Sequence, residues 1–280
     1  MKKKTIAKEI RFEGKALQTG IETRVVCKPG DSARGIIFKR MDLETRPIFP
    51  LSSAMFSSGE RRTMLSSDAG EVQTVEHFLA ALWALEIDSL IVELDGTELP
   101  AAGGSSIEFI EGFKNAGIKE QSAQREFITI SEKEEVFEGE SSLALFPNEE
   151  FSVSYQMEYN SPAIKDETLK MLPTRETFEK EIAPARTFCL KAEAEALLKA
   201  GLGRGATYEN TLVLDETGPI ETSLRFENEP ARHKILDLIG DLYLLGIPII
   251  GRVEAKRSGH NLNVKMMRRI YEKYVQKNKP

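Results

Sequence analysis

One ordering of elements occurs twice in this chain, and that duplication constrains the fold more than any other feature. The first pass reads EHFLAALWAL, EID, SLIVEL, GGSS, IEFIEGF. The second reads RHKILDLIGDLYLLG, IP, IIGRVEA, SGHN, LNVKMMRRIYEKY. Each is a helix, a tight turn, a strand, a glycine loop and a helix. The spacings match: Gly104 lies 27 residues after His77, and Gly259 lies 26 after His233. Short strand-like segments precede each pass, among them ETRVVCKP and RGIIFKR in the first half and SSLALFP and FSVSYQMEY in the second. A repeated unit of this kind predicts an α+β fold of two similar sheet-plus-helix-pair domains, whose facing helix starts would share a cleft. The polar stretch IKEQSAQRE, residues 118–126, is the expected linker. It divides the chain into an N-terminal domain, 1–121, and a C-terminal domain, 122–280.

The periodicities support the elements. Val75, Phe78, Leu79 and Leu82 recur at helical spacing and leave Glu76 and His77 in the first turn. IEFIEGFKNAG is amphipathic and ends at Gly117, a favoured helix terminator. LKAEAEALLKAG reads as an inserted helix closed by Gly201. A helix is expected from about Pro230, a residue suited to a helix start. SGHN reads as a loop before the last helix.

Composition narrows the function. With 38 Lys+Arg against 44 Asp+Glu the net charge is −6, which does not suit a nucleic-acid binder. The ends are basic, MKKK and KMMRRIYEKYVQKNKP; solvated tails and a dipole-complementing helix end are expected there, with at most weak contact to an anionic membrane surface. Cys27 and Cys189 stand apart in apolar contexts with no zinc-knuckle spacing, so two reduced, buried thiols are expected. No apolar run follows MKKK, and none approaches the length of a membrane span. A cytoplasmic monomer is the expectation.

The chemistry concentrates at the helix starts. The chain has three histidines: His77, His233 and His260. Facing duplicated units would bring His77 and His233 to one cleft. Ile235, Leu238, Ile239 and Leu242 form an apolar stripe, leaving His233, Asp237 and Asp241 on the other face. Side chains at i and i+4 are one turn apart and can reach one ion. Two histidines and one acid suit zinc with a fourth position for water. By itself the spacing favours a solvated helix face with an ordinary histidine–carboxylate pair. Glu76, beside His77, is a candidate general base, and His260 a candidate cation or general acid.

TVEHFLAAL, ARTF, RHKILDLIGDL and SGHNLN, in this order, resemble the zinc-dependent UDP-3-O-acyl-N-acetylglucosamine deacetylases of lipid A synthesis. The resemblance runs from LQTG, residues 17–20, to SGHNLN. It implies Zn2+ as cofactor, held by His77, His233 and Asp237. It implies Glu76 as general base and His260 as the cation that stabilises the oxyanion or protonates the leaving amine. Thr187 matches an oxyanion contact and Asp241 an acid that orients His260. Lys234 and Phe188 match substrate contacts, and Glu158 and Tyr159 fall where the family places an acid and an aromatic against uridine. An apolar acyl-chain passage is implied around LKAEAEALLKAG. The implied substrate is acylated UDP-N-acetylglucosamine.

Three positions depart from the family pattern: Gln18 and Ser161 each replace a histidine, and Gly103 replaces an acid. They admit a second reading, a zinc deacetylase acting on a related N-acetylated nucleotide sugar; a third, a non-catalytic sugar-nucleotide-binding relative, is opposed by the intact Glu76, His77, His233 and Asp237.

Overall fold

Two five-stranded sheets carry the duplication. In the first, β2 (Ile10–Lys15), β3 (Glu22–Pro29), β9 (Leu90–Leu94), β4 (Ile36–Arg40) and β5 (Ile48–Pro50) lie in that order. In the second the order is β12 (Glu134–Glu138), β13 (Ser141–Phe146), β20 (Arg252–Lys256), β14 (Ser152–Met157) and β15 (Glu167–Met171). Directions agree as well. In each sheet the pairing of the third strand with the fourth is parallel and the others are antiparallel. Parallel neighbours need a long crossover. Here it contains α1 (Glu76–Ala84) in the first half and α5 (Glu229–Leu242) in the second. A further helix follows the third strand in each, α2 (Ile107–Ala116) and α6 (His260–Ile270). The computed structural model describes residues 1–53 and 55–276; the last four residues of the basic C-terminus lie outside these.

Smaller elements decorate this frame. β6 (Phe56–Gly59), β7 (Arg62–Ser67) and β8 (Gly70–Gln73) form a three-stranded sheet ahead of α1. A one-turn helix, α3 (Arg175–Thr177), precedes an insertion. There β16 (Thr187–Leu190), β17 (Thr211–Asp215) and β18 (Gly218–Pro219) pair beside α4 (Lys191–Lys199). The two-residue strands β11 (Ile128–Thr129) and β19 (Ile249–Ile250) pair in parallel.

The expected linker is a strand. Residues Ile118–Gln124 form β10, which pairs antiparallel with β1 (Lys2–Ile6). Its polar side chains point largely to solvent while its backbone is satisfied by the partner strand. Arg125, just beyond, is anchored by Asp88 at 2.8 Å and Glu86 at 2.9 Å. Composition alone cannot separate such a polar strand from a linker.

α1, α2, α5 and α6 lie between the two sheets. Phe78 of α1 packs edge-on against Phe38 of β4 and against Phe109 and Phe113 of α2, at centroid distances of 5.2–5.7 Å. Phe12 of β2 joins the same cluster. α5 packs on β14 and β15 of the second sheet, and α1 packs on α5 across the middle. The α1–α5 seam is therefore where the halves meet. Gly240 makes it tight: a Cβ there would lie 2.0 Å from the carbonyl oxygen of Glu76. No helix among the described residues is long and apolar enough to cross a membrane. Cys27 and Cys189 are buried and unbridged, as expected, and burial pushes both thiols upward in pKa.

Candidate active site

α5 begins at Glu229 with Pro230 in its first turn. Its polar residues are not solvated. His233, Asp237 and Asp241 are buried together with the apolar stripe, because α1 and α6 pack beside it. A plain surface helix face is thus excluded, and the burial of these groups requires partners.

Across the seam, His77 at the start of α1 meets His233 and Asp237. His77 Nε2 lies 3.5 Å from Asp237 Oδ1, and His233 Nε2 lies 3.2 Å from the same oxygen. The two imidazole rings meet nearly perpendicular at 4.9 Å. One ligand atom from each of His77, His233 and Asp237 falls within 4.8 Å of the others. Asp237 Oδ1 is buried without a hydrogen-bond partner, whereas Oδ2 accepts from Lys234 Nζ at 3.0 Å. An orphaned carboxylate oxygen aimed between two imidazole nitrogens fits a cation such as zinc, whose nitrogen and oxygen bonds are about 2.0–2.2 Å. The other ring nitrogen of His233 is held by the Ala185 carbonyl at 3.0 Å, which leaves Nε2 facing Asp237. Burial lowers the pKa of His77 and favours the neutral imidazole that a metal needs. Burial works against the charge of Asp237, but His233, Lys234 and His260 together hold its carboxyl well below the usual range.

ARTF owes its position to an ion pair. Arg186 and Glu229 are both buried; Arg186 Nε donates to Glu229 Oε1 at 2.8 Å, and Arg186 N donates to the same oxygen at 3.0 Å. The pair ties β16 to the first turn of α5. It sets Ala185 against His233, exposes Thr187 to the cavity and stacks Phe188 edge-on against His233, with centroids at 6.2 Å.

Glu76 is buried beside His77, and its Oε2 accepts from Thr63 N at 3.0 Å. Burial, reinforced by Asp241 and Asp237 against the opposing charge of His260, raises its pKa to about 8. A divalent cation alongside would draw it down. His260, expected in a loop, is the first residue of α6. Its Nδ1 is 2.9 Å from Asp241 Oδ2, and its Nε2 is 3.8 Å from Asp237 Oδ2. Burial disfavours its charge, but Asp241 and then Asp237 outweigh that and raise its pKa to about 9. Asn263 Nδ2 also donates to Asp241 Oδ2, at 2.8 Å.

His233, Asp237 and His260 open onto a cavity of about 730 Å³. Lys234, Glu158, Tyr159, Thr187 and Phe188 line it with His233 and His260, so the substrate contacts expected from sequence share one wall system. Arg61 and Arg257 also line it, and neither stood out in the sequence. Arg61 lies in the β6–β7 turn. It donates to the Phe188 carbonyl at 2.8 Å and pairs with Glu193 at 3.2 Å. Tyr159 OH donates to the other oxygen of Glu193 at 2.8 Å. This polar cluster stands where an acyl passage is expected. α4 buries none of its side chains, and Leu198 on it is exposed.

The three departures sit at the margins. Gln18 accepts from Gly203 N at 3.1 Å and so ties residues 17–20 to the loop that follows α4. Ser161 Oγ accepts from Ala163 N within its own loop. Gly103 has φ +64°, and a Cβ there would lie 2.6 Å from Glu108 Oε1, so an acid at 103 would displace Glu108.

Two histidines and a carboxylate on packed helices, with a second carboxylate beside them, form the donor set of metal-assisted hydrolases. The family model for UDP-3-O-acyl N-acetylglycosamine deacetylase matches residues 3–272. The chain is 37% identical over 268 residues to the UDP-3-O-acyl-N-acetylglucosamine deacetylase of Geotalea uraniireducens, covering 94% of this chain and 86% of that one. It is 35% identical over 268 residues to the protein of the same name from an Anaeromyxobacter species, covering 95% and 88%. The chain belongs to the UDP-3-O-acyl-N-acetylglucosamine deacetylase family.

Proposed function

We propose that this chain is a zinc-dependent deacetylase that hydrolyses the N-acetyl group of UDP-3-O-acyl-N-acetylglucosamine in lipid A synthesis. The observation that carries the reading is the unpartnered Oδ1 of Asp237 between the Nε2 atoms of His77 and His233. These three residues would hold the ion. The chemistry that zinc would supply there is Lewis acidity toward the amide carbonyl and the attacking water.

The chain's own groups do the rest. Glu76 takes a proton from the attacking water as the new C–O bond forms. The hydroxyl of Thr187 and the cationic ring of His260 face the oxygen that gains charge. His260, fixed through Nδ1 by Asp241, gives a proton from Nε2 to the leaving nitrogen. The C–N bond breaks, and the products are acetate and the amino sugar. Lys234, Arg61 and Arg257 bring cationic charge to the cavity and suit the diphosphate. Phe188 packs against the sugar, and Glu158 and Tyr159 meet the uridine. The proposal includes a cytoplasmic monomer, at most weak membrane contact, and a domain division at residues 121 and 122.

A second reading, the same chemistry on a related N-acetylated nucleotide sugar, is favoured by the polar cluster of Arg61, Glu193 and Tyr159 on the cavity wall. Acetate release from the acylated and the non-acylated UDP-N-acetylglucosamine separates the two. The proposal expects turnover of the acylated substrate; turnover confined to the non-acylated sugar establishes the second reading instead.

A further inference from the structure

Thr63 is fully buried in β7, in a stretch, RTMLSS, that carries no recognisable chemistry. Each of its polar groups is nevertheless bonded to the site. Its N–H donates to Glu76 Oε2 at 3.0 Å, and its carbonyl accepts from Val75 N, immediately before α1, at 3.3 Å. Its hydroxyl donates to Asp241 Oδ1 at 2.6 Å and lies 3.1 Å from His260 Nδ1. A threonine hydroxyl has one proton and two lone pairs. With the proton given to Asp241, a lone pair faces the Nδ1–H of His260. That N–H is thus shared between Thr63 Oγ1 and Asp241 Oδ2.

We infer that Thr63 is a positioning residue that sets the general base and the cationic histidine in one frame. The inference rests on the roles proposed above for Glu76 and His260. Glu76 is on α1 and His260 on α6, at the starts of helices from opposite halves of the chain. Movement of either helix alone would change the distance between proton acceptor and proton donor. Thr63 is bonded to both, and its hydroxyl leaves Asp241 Oδ1 with a partner in a site where an unpaired carboxylate oxygen is costly. The backbone bond to Glu76 does not depend on the side chain, so the hydroxyl can be tested separately.

Thr63→Val keeps the shape and the N–H and removes the hydroxyl. Thr63→Ser keeps both, and Thr63→Ala replaces the valine variant if that one does not fold. Each is assayed for acetate release, zinc content and melting temperature, and its histidines are labelled with 15N. The His260 Nδ1 resonance is assigned with His260→Gln. The expected result is a kcat lower by about 10- to 100-fold in Thr63→Val, as for partners that orient active-site groups. KM and zinc content stay at wild-type values, the Nδ1 signal shifts, and Thr63→Ser restores kcat and the signal. A folded, zinc-loaded Thr63→Val with wild-type kcat overturns the inference. So does equal loss in the serine and valine variants that tracks melting temperature. If wild-type protein releases no acetate, the proposed function fails; the Nδ1 signal then still decides whether the hydroxyl holds His260.

Discussion

Gly240 lies so close to Glu76 that a β-carbon would sit 2.0 Å from the Glu76 carbonyl oxygen and 3.1 Å from its Cα. A small residue here lets α1 and α5 approach, and the approach brings the histidines of the two halves together. Gly240→Ala must push the helices apart. Overpacking of this kind costs about 1–3 kcal/mol, or more where backbone is the obstacle. The expected outcome is a lower melting temperature with weakened zinc retention, read by thermal unfolding and metal analysis. Unchanged zinc affinity would show that the close approach is not needed for the site.

Glu76→Gln removes the proposed proton acceptor and leaves the proposed metal ligands His77, His233 and Asp237 in place. Proton transfer by a positioned side chain contributes on the order of 10²- to 10⁴-fold. A fall of that size in kcat is expected, with zinc content unchanged. Retained activity would assign the base elsewhere.

Asp237→Asn weakens a proposed zinc ligand and leaves Lys234 without its carboxylate partner at 3.0 Å. Zinc affinity is expected to fall by more than the roughly 10- to 100-fold typical of outer-shell changes. Titration against a competing chelator measures it.

The basic limb of activity should report His260. Its raised pKa, about 9, means that the cation persists below that pH and is lost as pH rises through it. Asp241 is the chief source of the increase. Asp241→Asn should therefore move the basic limb to lower pH, toward the ordinary histidine value of about 6.5. A limb that does not move would belong to another group.

Much of the fold was legible because duplication repeats its own evidence. Helix–turn–strand–loop–helix predicted twice became two sheets with one strand order and one pattern of directions. The α5 spacing also paired His233 with Asp237 correctly, though it could not tell that the polar face is buried. That depends on α1 and α6 arriving from elsewhere in the chain. β10 was misread because a solvated strand and a linker have the same composition, and only pairing with β1 distinguishes them. Thr63 and Arg61 left no signal, since their roles exist only when β7 and the β6–β7 turn meet the second half. Ala185 and Arg186 sat inside a recognised motif, but their work is a carbonyl contact and a buried ion pair, neither visible as spacing.

The most direct test is acetate release from UDP-3-O-acyl-N-acetylglucosamine by metal-stripped protein, before and after stoichiometric zinc is returned. The account predicts negligible release from the stripped protein and full recovery on zinc addition, with recovery abolished in His233→Ala. Undiminished release from stripped protein, or recovery in His233→Ala equal to wild type, would contradict a zinc centre at His77, His233 and Asp237.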